Sequence, residues 1–358
     1  RQRQMCIRDS ANTTGHGIIG KHNLSKHNLT FRETSVLLNS RLKLDGSMNL
    51  MRQVVKNKPT VGGFYMNPLV GLYRFPRGED IAYYKENFEV YDEGRNLNIQ
   101  NWHTSYEDFE QNPYWITNRI LSKENRMHVI VSLSANLKIN DWLSLQTRGN
   151  VDYINDKVRQ QFYASTAPAL AGANGRYIEM DYQETQYYGD AILMMKKQWD
   201  AFSLNAALGA SINDKTVNST RYDSKTASLK YANVFNLANI IMNGSAGLDQ
   251  KIDARRQLQS LFATAQLGYN EFVYLDLSAR NDWSSTLAYT SHEKSGFFYP
   301  SVGFSLIFNK LMTLPRWVSL AKIRGAYSMV GNDIPMFITN PSSHITAGGE
   351  FPVSYTHL

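Results

Sequence analysis

Leu143-Ser-Leu-Gln-Thr-Arg-Gly-Asn-Val-Asp-Tyr153 is the stretch whose reading decides the fold. Leu143, Leu145, Thr147, Gly149, Val151 and Tyr153 share one side of an extended chain, and Ser144, Gln146, Arg148, Asn150 and Asp152 share the other. Successive side chains of a strand point to opposite faces, so this period of two describes a strand with one apolar and one hydrogen-bonding face. The polar face carries a guanidinium, a carboxylate and two amides at mid-strand. A dry sandwich core buries an unpaired polar group at a cost of about 2–7 kcal/mol. A water-filled or plugged lumen accepts it.

The same alternation extends in both directions. Upstream, Met127, Val129, Val131, Leu133, Ala135 and Leu137 oppose His128, Ser132, Ser134 and Asn136, with Ile130 as the interruption. Leu42, Leu44, Gly46, Met48 and Leu50 oppose Lys43, Asp45, Ser47 and Asn49. Downstream come Phe202, Leu204, Ala206, Leu208, Ala210 and Ile212, then Leu261, Ala263, Ala265 and Leu267, then Val273, Leu275, Leu277 and Ala279. Phe298, Val302, Phe304, Leu306 and Phe308 precede a last strand around Ile323, Gly325 and Tyr327. Weaker strands are expected near Asn28–Val36 and Gln186–Lys197. About ten strands result, several of the roughly 9–11 residues that a tilted strand needs to cross a bilayer.

The connections alternate in length. Tight ones fall near Leu38–Ser40, Ile139–Trp142, Trp199–Ala201 and Tyr269–Glu271, with a modest one at Lys310–Val318. Long ones span residues 54–125, 155–185, 213–254, 282–296 and 330–353. Tight turns at one rim and long loops at the other describe an all-β fold: part of an antiparallel transmembrane β-barrel with short periplasmic turns and long extracellular loops. Trp142, Trp199 and Phe272 lie beside tight turns, where a membrane-interface aromatic girdle is expected. Each alone could simply close a hairpin; their repeated placement carries the reading.

Composition narrows the alternatives. Of 358 residues, 19% are charged and 12% aromatic, and that aromatic share excludes a disordered chain. The one cysteine, Cys6, excludes an internal disulfide. The formal net charge is +7 with Lys and Arg scattered, so no nucleic-acid-binding stripe or motif is present. No apolar run approaches the length of a membrane helix, which has no bearing on a barrel. Residues 1–10, Arg-Gln-Arg-Gln-Met-Cys-Ile-Arg-Asp-Ser, and residues 354–358 carry no periodicity and read as non-native, linker-derived tails. That leaves 11–353 as barrel, an internal piece of something larger.

Motifs for chemistry are sparse. Gly15-His-Gly-Ile-Ile-Gly-Lys21 has phosphate-loop spacing, but His22 stands where a Mg²⁺-binding hydroxyl belongs. No paired-histidine metal motif and no nucleophile elbow occurs, so no catalytic residue and no resident cofactor is expected. Glu107, Asp108 and Glu110 have the chemistry of a Ca²⁺ site in an extracellular loop, though solvating that loop is the plainer role. The loop of residues 54–125 is more informative. Its Phe64, Tyr65, Tyr73, Phe75, Trp102, Tyr114 and Trp115 make it too apolar to be disordered. Such aromatics flanked by Asn, Asp and Arg suit sugars and protein surfaces equally, and they are the expected ligand or lid contacts. The alternative for each is packing within the loop.

Several stretches also resemble one family. These are residues 63–78, Asn101-Trp102, Asn112-Pro-Tyr-Trp-Ile-Thr-Asn118, Thr166-Ala-Pro-Ala-Leu-Ala-Gly-Ala-Asn-Gly-Arg-Tyr177, Tyr274-Leu-Asp-Leu-Ser-Ala-Arg-Asn-Asp-Trp-Ser-Ser285, Tyr299-Pro-Ser-Val-Gly-Phe-Ser305 and Lys322-Ile-Arg-Gly-Ala-Tyr-Ser-Met-Val-Gly-Asn-Asp333. Together they resemble the SusC/RagA-type TonB-dependent outer-membrane transporters over roughly Gly15–Gly348. The resemblance implies about ten strands of a 22-stranded barrel, with the plug domain and TonB box lying outside this sequence. It further implies a Gram-negative, Bacteroidetes-like outer membrane, a SusD-like surface lipoprotein as lid, the TonB complex as energy source, and import of oligosaccharides or peptides. It implies no enzyme. The competing expectation is a secreted or surface β-rich module that binds glycans or proteins without transport. That reading explains the strands and aromatic loops, but not the polar mid-strand faces or the unequal rims.

Overall fold

The computed structural model describes residues 3–339 except 59, 61–64, 105–109, 226–228, 243–246, 295, 313, 316 and 332. In chain order the elements are β1 (Arg3–His16), β2 (Asn23–Leu37), β3 (Leu42–Lys56), α1 (Pro68–Arg74), α2 (Ile81–Glu86), β4 (Glu89–Asp92), β5 (Leu97–Gln100), α3 (Pro113–Arg119), β6 (Ile120–Lys138), β7 (Leu143–Phe162), β8 (Arg176–Trp199), β9 (Phe202–Asp223), β10 (Gly247–Tyr269), β11 (Val273–Ser284), β12 (Phe297–Ile307) and β13 (Lys322–Ser328). Eleven strands form one antiparallel sheet in which each pairs with its neighbour along the chain, from β1 to β13, with β4 and β5 forming a separate hairpin. No described helix is long and apolar enough to cross a membrane.

The register carries the period of two across the whole sheet. Leu29, Leu50, Val129 and Tyr153 stand side by side. The next row is Phe31, Met48, Val131, Val151 and Tyr187, and the one after it Gly46, Leu133, Gly149, Gly189 and Ile212. Further along, Ala265, Leu277, Val302 and Tyr327 continue this apolar face. The chain itself does not cover it: Leu133 is 62% exposed and Leu208 54%. The opposite face is polar and cross-linked between neighbouring strands. Arg126 meets Asp156 at 2.6 Å, Arg148 meets Asp190 at 2.6 Å and Lys215 meets Glu184 at 2.7 Å. His128 lies 2.7 Å from Asp152, and Arg32 lies 2.9 Å from Asp45.

The rims are unequal, as the spacing predicts. At one rim the turns are tight and use left-handed backbone: Leu38, Asn39 and Ser40 have φ of 52°, 52° and 68°, and Asn270 and Glu271 have 46° and 58°. At the other rim lie residues 57–119, 163–175, 224–246 and 285–296. Two of these loops are shorter than the expected 155–185 and 213–254, because β7, β8, β9 and β10 run to 20, 24, 22 and 23 residues. Their outer halves mix polar residues into both faces, as in Asn155-Asp-Lys157 and Asp181-Tyr-Gln-Glu184. The backbone ladder continues there while the apolar alternation that reveals a strand in sequence is lost.

The first residues also differ from expectation. Left out of the fold reading as a linker-derived tail, Arg3–Ser10 forms about half of β1, paired in register with Leu29–Val36. Its pattern is inverted. Ile7 sits opposite Arg32 on the polar face, and Arg8 opposite Phe31 on the apolar one. Backbone pairing at a sheet edge tolerates almost any side chain, so β1 is held by its ladder and not by side-chain partition. The glycine-rich Gly15–Lys21 stretch closes the β1–β2 hairpin, with Gly17 N–H donating to His22 O at 3.0 Å. It leads into a strand, so no helix N-terminus is there to hold a phosphate. Residues 354–358 lie outside the described residues.

Two outcomes follow from this register. Removing residues 1–10 should leave the β signature of the chain in detergent micelles unchanged by far-UV circular dichroism. Gly175→Ala should cost about 1–3 kcal/mol, because Gly175 has φ +95° and a Cβ there would sit 2.4 Å from Phe162 O. The readout is faster proteolysis within residues 163–175.

Candidate functional site: a loop cap over the open rim

The packed core of the described chain lies above the sheet, among the long loops. Asn67 caps α1, its Oδ1 accepting from Leu69 N–H at 3.0 Å, and Pro68 fills the first turn. Asn112 and Pro113 repeat the device at α3, with Tyr114 N–H donating to Asn112 Oδ1 at 2.8 Å. Asparagine then proline is a strong helix start, because the side chain satisfies an orphan N–H and proline lacks one. Asn112 also donates to Tyr84 O and Asn101 O, and its N–H reaches Gln100 Oε1 at 2.7 Å.

A second loop docks on this frame. Trp115, wholly buried, donates from Nε1 to Thr166 Oγ1 at 3.1 Å. Gln100 N–H donates to Ser165 Oγ at 2.9 Å, and Ala167 N–H to Gln111 Oε1 at 2.8 Å. The third loop joins through Asn233, which accepts from Ala164 N–H at 2.7 Å, and through Leu229, buried with Tyr177 and Ile240. Arg119 fixes the β4–β5 hairpin with two bonds to Glu89, at 2.7 and 2.6 Å, under the rings of Phe88 and Tyr163.

Beside α1 the rings of Phe75, Tyr84, Trp102 and His103 cluster, with Phe75–Trp102 and Tyr84–Trp102 centroids both 5.3 Å apart. Glu110 lies beneath, 2% exposed, 3.2 Å from Arg74 and 3.1 Å from His103. Glu110 therefore does not solvate the loop, as the sequence suggests, but is buried against Arg74 and His103. Glu107 and Asp108 lie outside the described residues, and among the described residues no group of three acids, histidines or cysteines is placed to hold a metal.

The seven aromatic residues expected to meet a ligand or lid separate by environment. Phe64 lies outside the described residues. Trp115 is a correction: its ring is consumed by the cap's own packing. Tyr65 and Tyr114 are half-buried, and Tyr65 O accepts from Gln111 Nε2. Phe75 and Trp102 build the ring cluster. Tyr73 is 86% exposed and projects from the cap. Sequence reasoning missed Tyr84, His103 and the exposed Tyr83 and Tyr91; the tandem Tyr83-Tyr84 beside Phe75 was the available signal. At the opposite rim Trp199 stacks near Phe202, Phe202 near Tyr269 and Tyr269 near Phe272, at 6.4, 4.9 and 5.6 Å, while Lys197 Nζ sits 5.7 Å from the Trp142 ring. Phe202 and Tyr269 complete a ribbon of which only Trp142, Trp199 and Phe272 were expected.

The segment after β13 folds back onto the end of β11. Asp333 accepts from Ser284 Oγ at 2.8 Å and from Thr286 Oγ1, and Arg256 reaches it at 2.5 Å. Burial pushes this carboxyl up, but the hydrogen bonds from Thr286, Ser284 and Ile334 N–H, with Arg256, outweigh it and hold its pKa below the ordinary carboxylate value.

No family model matches the chain, and no curated protein matches it. Solved structures do. The RagAB peptide transporter superposes with a TM-score of 0.67 at 16% identity, over 99% of this chain and 38% of that one. Its "open-open" state gives 0.64 at 16% identity, over 99% and 37%. The P. aeruginosa FpvA–pyoverdine complex gives 0.54 at 13% identity, over 85% and 38%. The fold is therefore the antiparallel β-barrel wall of these chains, and the chain spans under two-fifths of each of them. The first two are states of a peptide transporter.

Two measurements check the cap. Trp115→Ala should cost about 3–5 kcal/mol of cap stability, seen as new protease cuts in residues 100–119 and 163–175 with the sheet intact. For Asp333, a carboxyl with a depressed folded pKa adds stability that is fully present above its unfolded value, about 3.9. That stability is lost as pH falls through the folded value. Amide exchange at residues 333–339 should rise below that point, and Asp333→Asn should abolish the pH dependence.

Proposed function

We propose that the chain is a wall of an outer-membrane active transporter that imports peptides or oligosaccharides. The observation that supports this best is the pair of faces on one continuous sheet: an uncovered apolar face outward, and a polar face whose charges pair between strands. Lipid takes the first and a solvated lumen the second. The ribbon from Trp142 through Trp199 to Phe272 is the girdle at the periplasmic interface, where amphipathic rings sit at headgroup level. The cap then lies outside, over the mouth.

In this reading the exposed Tyr73, together with Phe75 and Trp102 of the nearby ring cluster, meets the cargo or a SusD-like lipoprotein lid. Peptides are favoured over glycans by the similarity to a peptide transporter, and energy comes from a TonB complex acting on a plug encoded elsewhere in the full protein. Calcium in the extracellular loops remains a proposal for residues 107 and 108. The secreted-module alternative gains nothing from the uncovered apolar face, which water does not favour.

Leu133→Arg, on the apolar face, should cost about 2–4 kcal/mol in lipid, whereas Ser132→Arg, facing the lumen, should cost far less by urea titration in vesicles. For function, the intact protein bearing this wall should fractionate with outer membranes, resist carbonate extraction, and copurify with a surface lipoprotein and bound peptides identifiable by mass spectrometry. Recovery from the medium as a detergent-independent soluble protein would sink the proposal.

A further inference from the structure

Above the apolar rows, the outward face of β3, β6 and β7 gathers cations, three of which meet no carboxylate among the described residues. Lys56 stands directly opposite Lys123, and Lys123 directly opposite Arg159. Like charges at directly opposed positions are destabilising. Only Arg159 has a counter-ion, Glu179 at 3.0 Å. Arg52 lies on the same face, opposite Met127. Arg52, Lys56 and Lys123 form no ion pair with any described residue. Elsewhere on that face Lys157 of β7 meets Asp181 at 3.3 Å, and Arg255 of β10 meets Asp214 at 2.9 Å. Arg52, Lys56 and Lys123 are thus three unpaired cations gathered within one patch.

The patch continues into an apolar groove. A cavity of 490 Å³ is lined by Leu29, Leu50, Met127 and Val129 together with Arg52 and Lys157. Counted along the strands from the Leu50–Val129 row, Arg52 stands about 7 Å further out and the Lys56–Lys123 pair about 20 Å. An occupant must be apolar at one end and carry more than one anionic group at the other, spaced over that distance.

We infer that this face binds an amphiphile with acyl chains and at least two phosphate groups on its head, seated in the outer leaflet with its chains along Leu29, Leu50, Met127 and Val129. Arg52 offers the forked donor geometry that suits phosphate. Lys56 and Lys123 relieve their mutual repulsion on a second anionic group. The inference rests on the proposed orientation, in which the apolar face meets lipid.

The test uses the full chain in zwitterionic detergent micelles. A diphosphorylated acyl amphiphile and its dephosphorylated counterpart are added separately, and retained lipid is counted by native mass spectrometry. The phosphorylated form should be retained about 10-fold or more over the other. Arg52→Gln with Lys56→Gln and Lys123→Gln should erase the difference while leaving circular dichroism unchanged, since all three side chains are exposed. Equal retention of both amphiphiles, or a preference that survives the triple substitution, overturns the inference. Displacement by millimolar inorganic phosphate also overturns it, by showing a simple anion site. A chain that keeps its β signature in buffer without detergent sinks the orientation itself and the inference with it. A chain folded only in micelles that shows no phosphate preference sinks the inference alone.

Discussion

Everything in this molecule depends on how its backbone N–H and C=O groups are satisfied. Each strand of the large sheet answers only to its neighbours along the chain, so the ladder needs no long-range crossover and no covering layer. A helix would meet the same requirement within itself; a sheet meets it between strands, and therefore ties side-chain placement to a strict period of two. Once the register is set at one tight turn, a whole row of apolar side chains falls on one face and a row of polar ones on the other. A one-residue slip would exchange Leu133 for Ser132 and put polar groups where the apolar row stands.

The sheet itself contains almost no core. Side chains that a soluble protein would bury stand uncovered on one face, while the fully buried tryptophan, the capped short helices and the stitched amides all lie in the loops. Stability is thus divided. Backbone hydrogen bonding and the surrounding medium hold the wall, whereas conventional packing holds the cap. Asn67 and Asn112 are small causes with wide effects here. Each starts a helix, and the second also joins three separate pieces of chain through one side chain, so the cap's aromatic residues are positioned by buried amides as much as by apolar contact.

Much of this was legible in sequence, for a physical reason. Alternation is a local property, so the inner halves of β3, β6, β7, β9, β10 and β11 could be read directly, as could the tight turns between them. The outer halves of β7 to β10 could not, because there the cap buries some side chains, such as Phe162 and Ile178, and polar residues fall on both faces. Arg3–Ser10 was missed for the complementary reason: an edge ladder imposes no pattern. In the cap, the aromatic content announced an ordered loop, but whether a given ring faces outward depends on contacts 50 residues or more apart, as between Trp115 and Thr166. That is why Trp115 and Tyr73 looked alike in sequence and differ completely in exposure.

The charge pairs on the polar face have a consequence for the space they border. A lone guanidinium projects a field that a passing ion feels from afar. Arg148 held against Asp190 projects that of a dipole, which fades within a few ångströms and is little altered by salt. A wall built from such pairs is rough at short range and nearly blank at long range. It offers hydrogen bonds to whatever touches it without sorting solutes by their net charge.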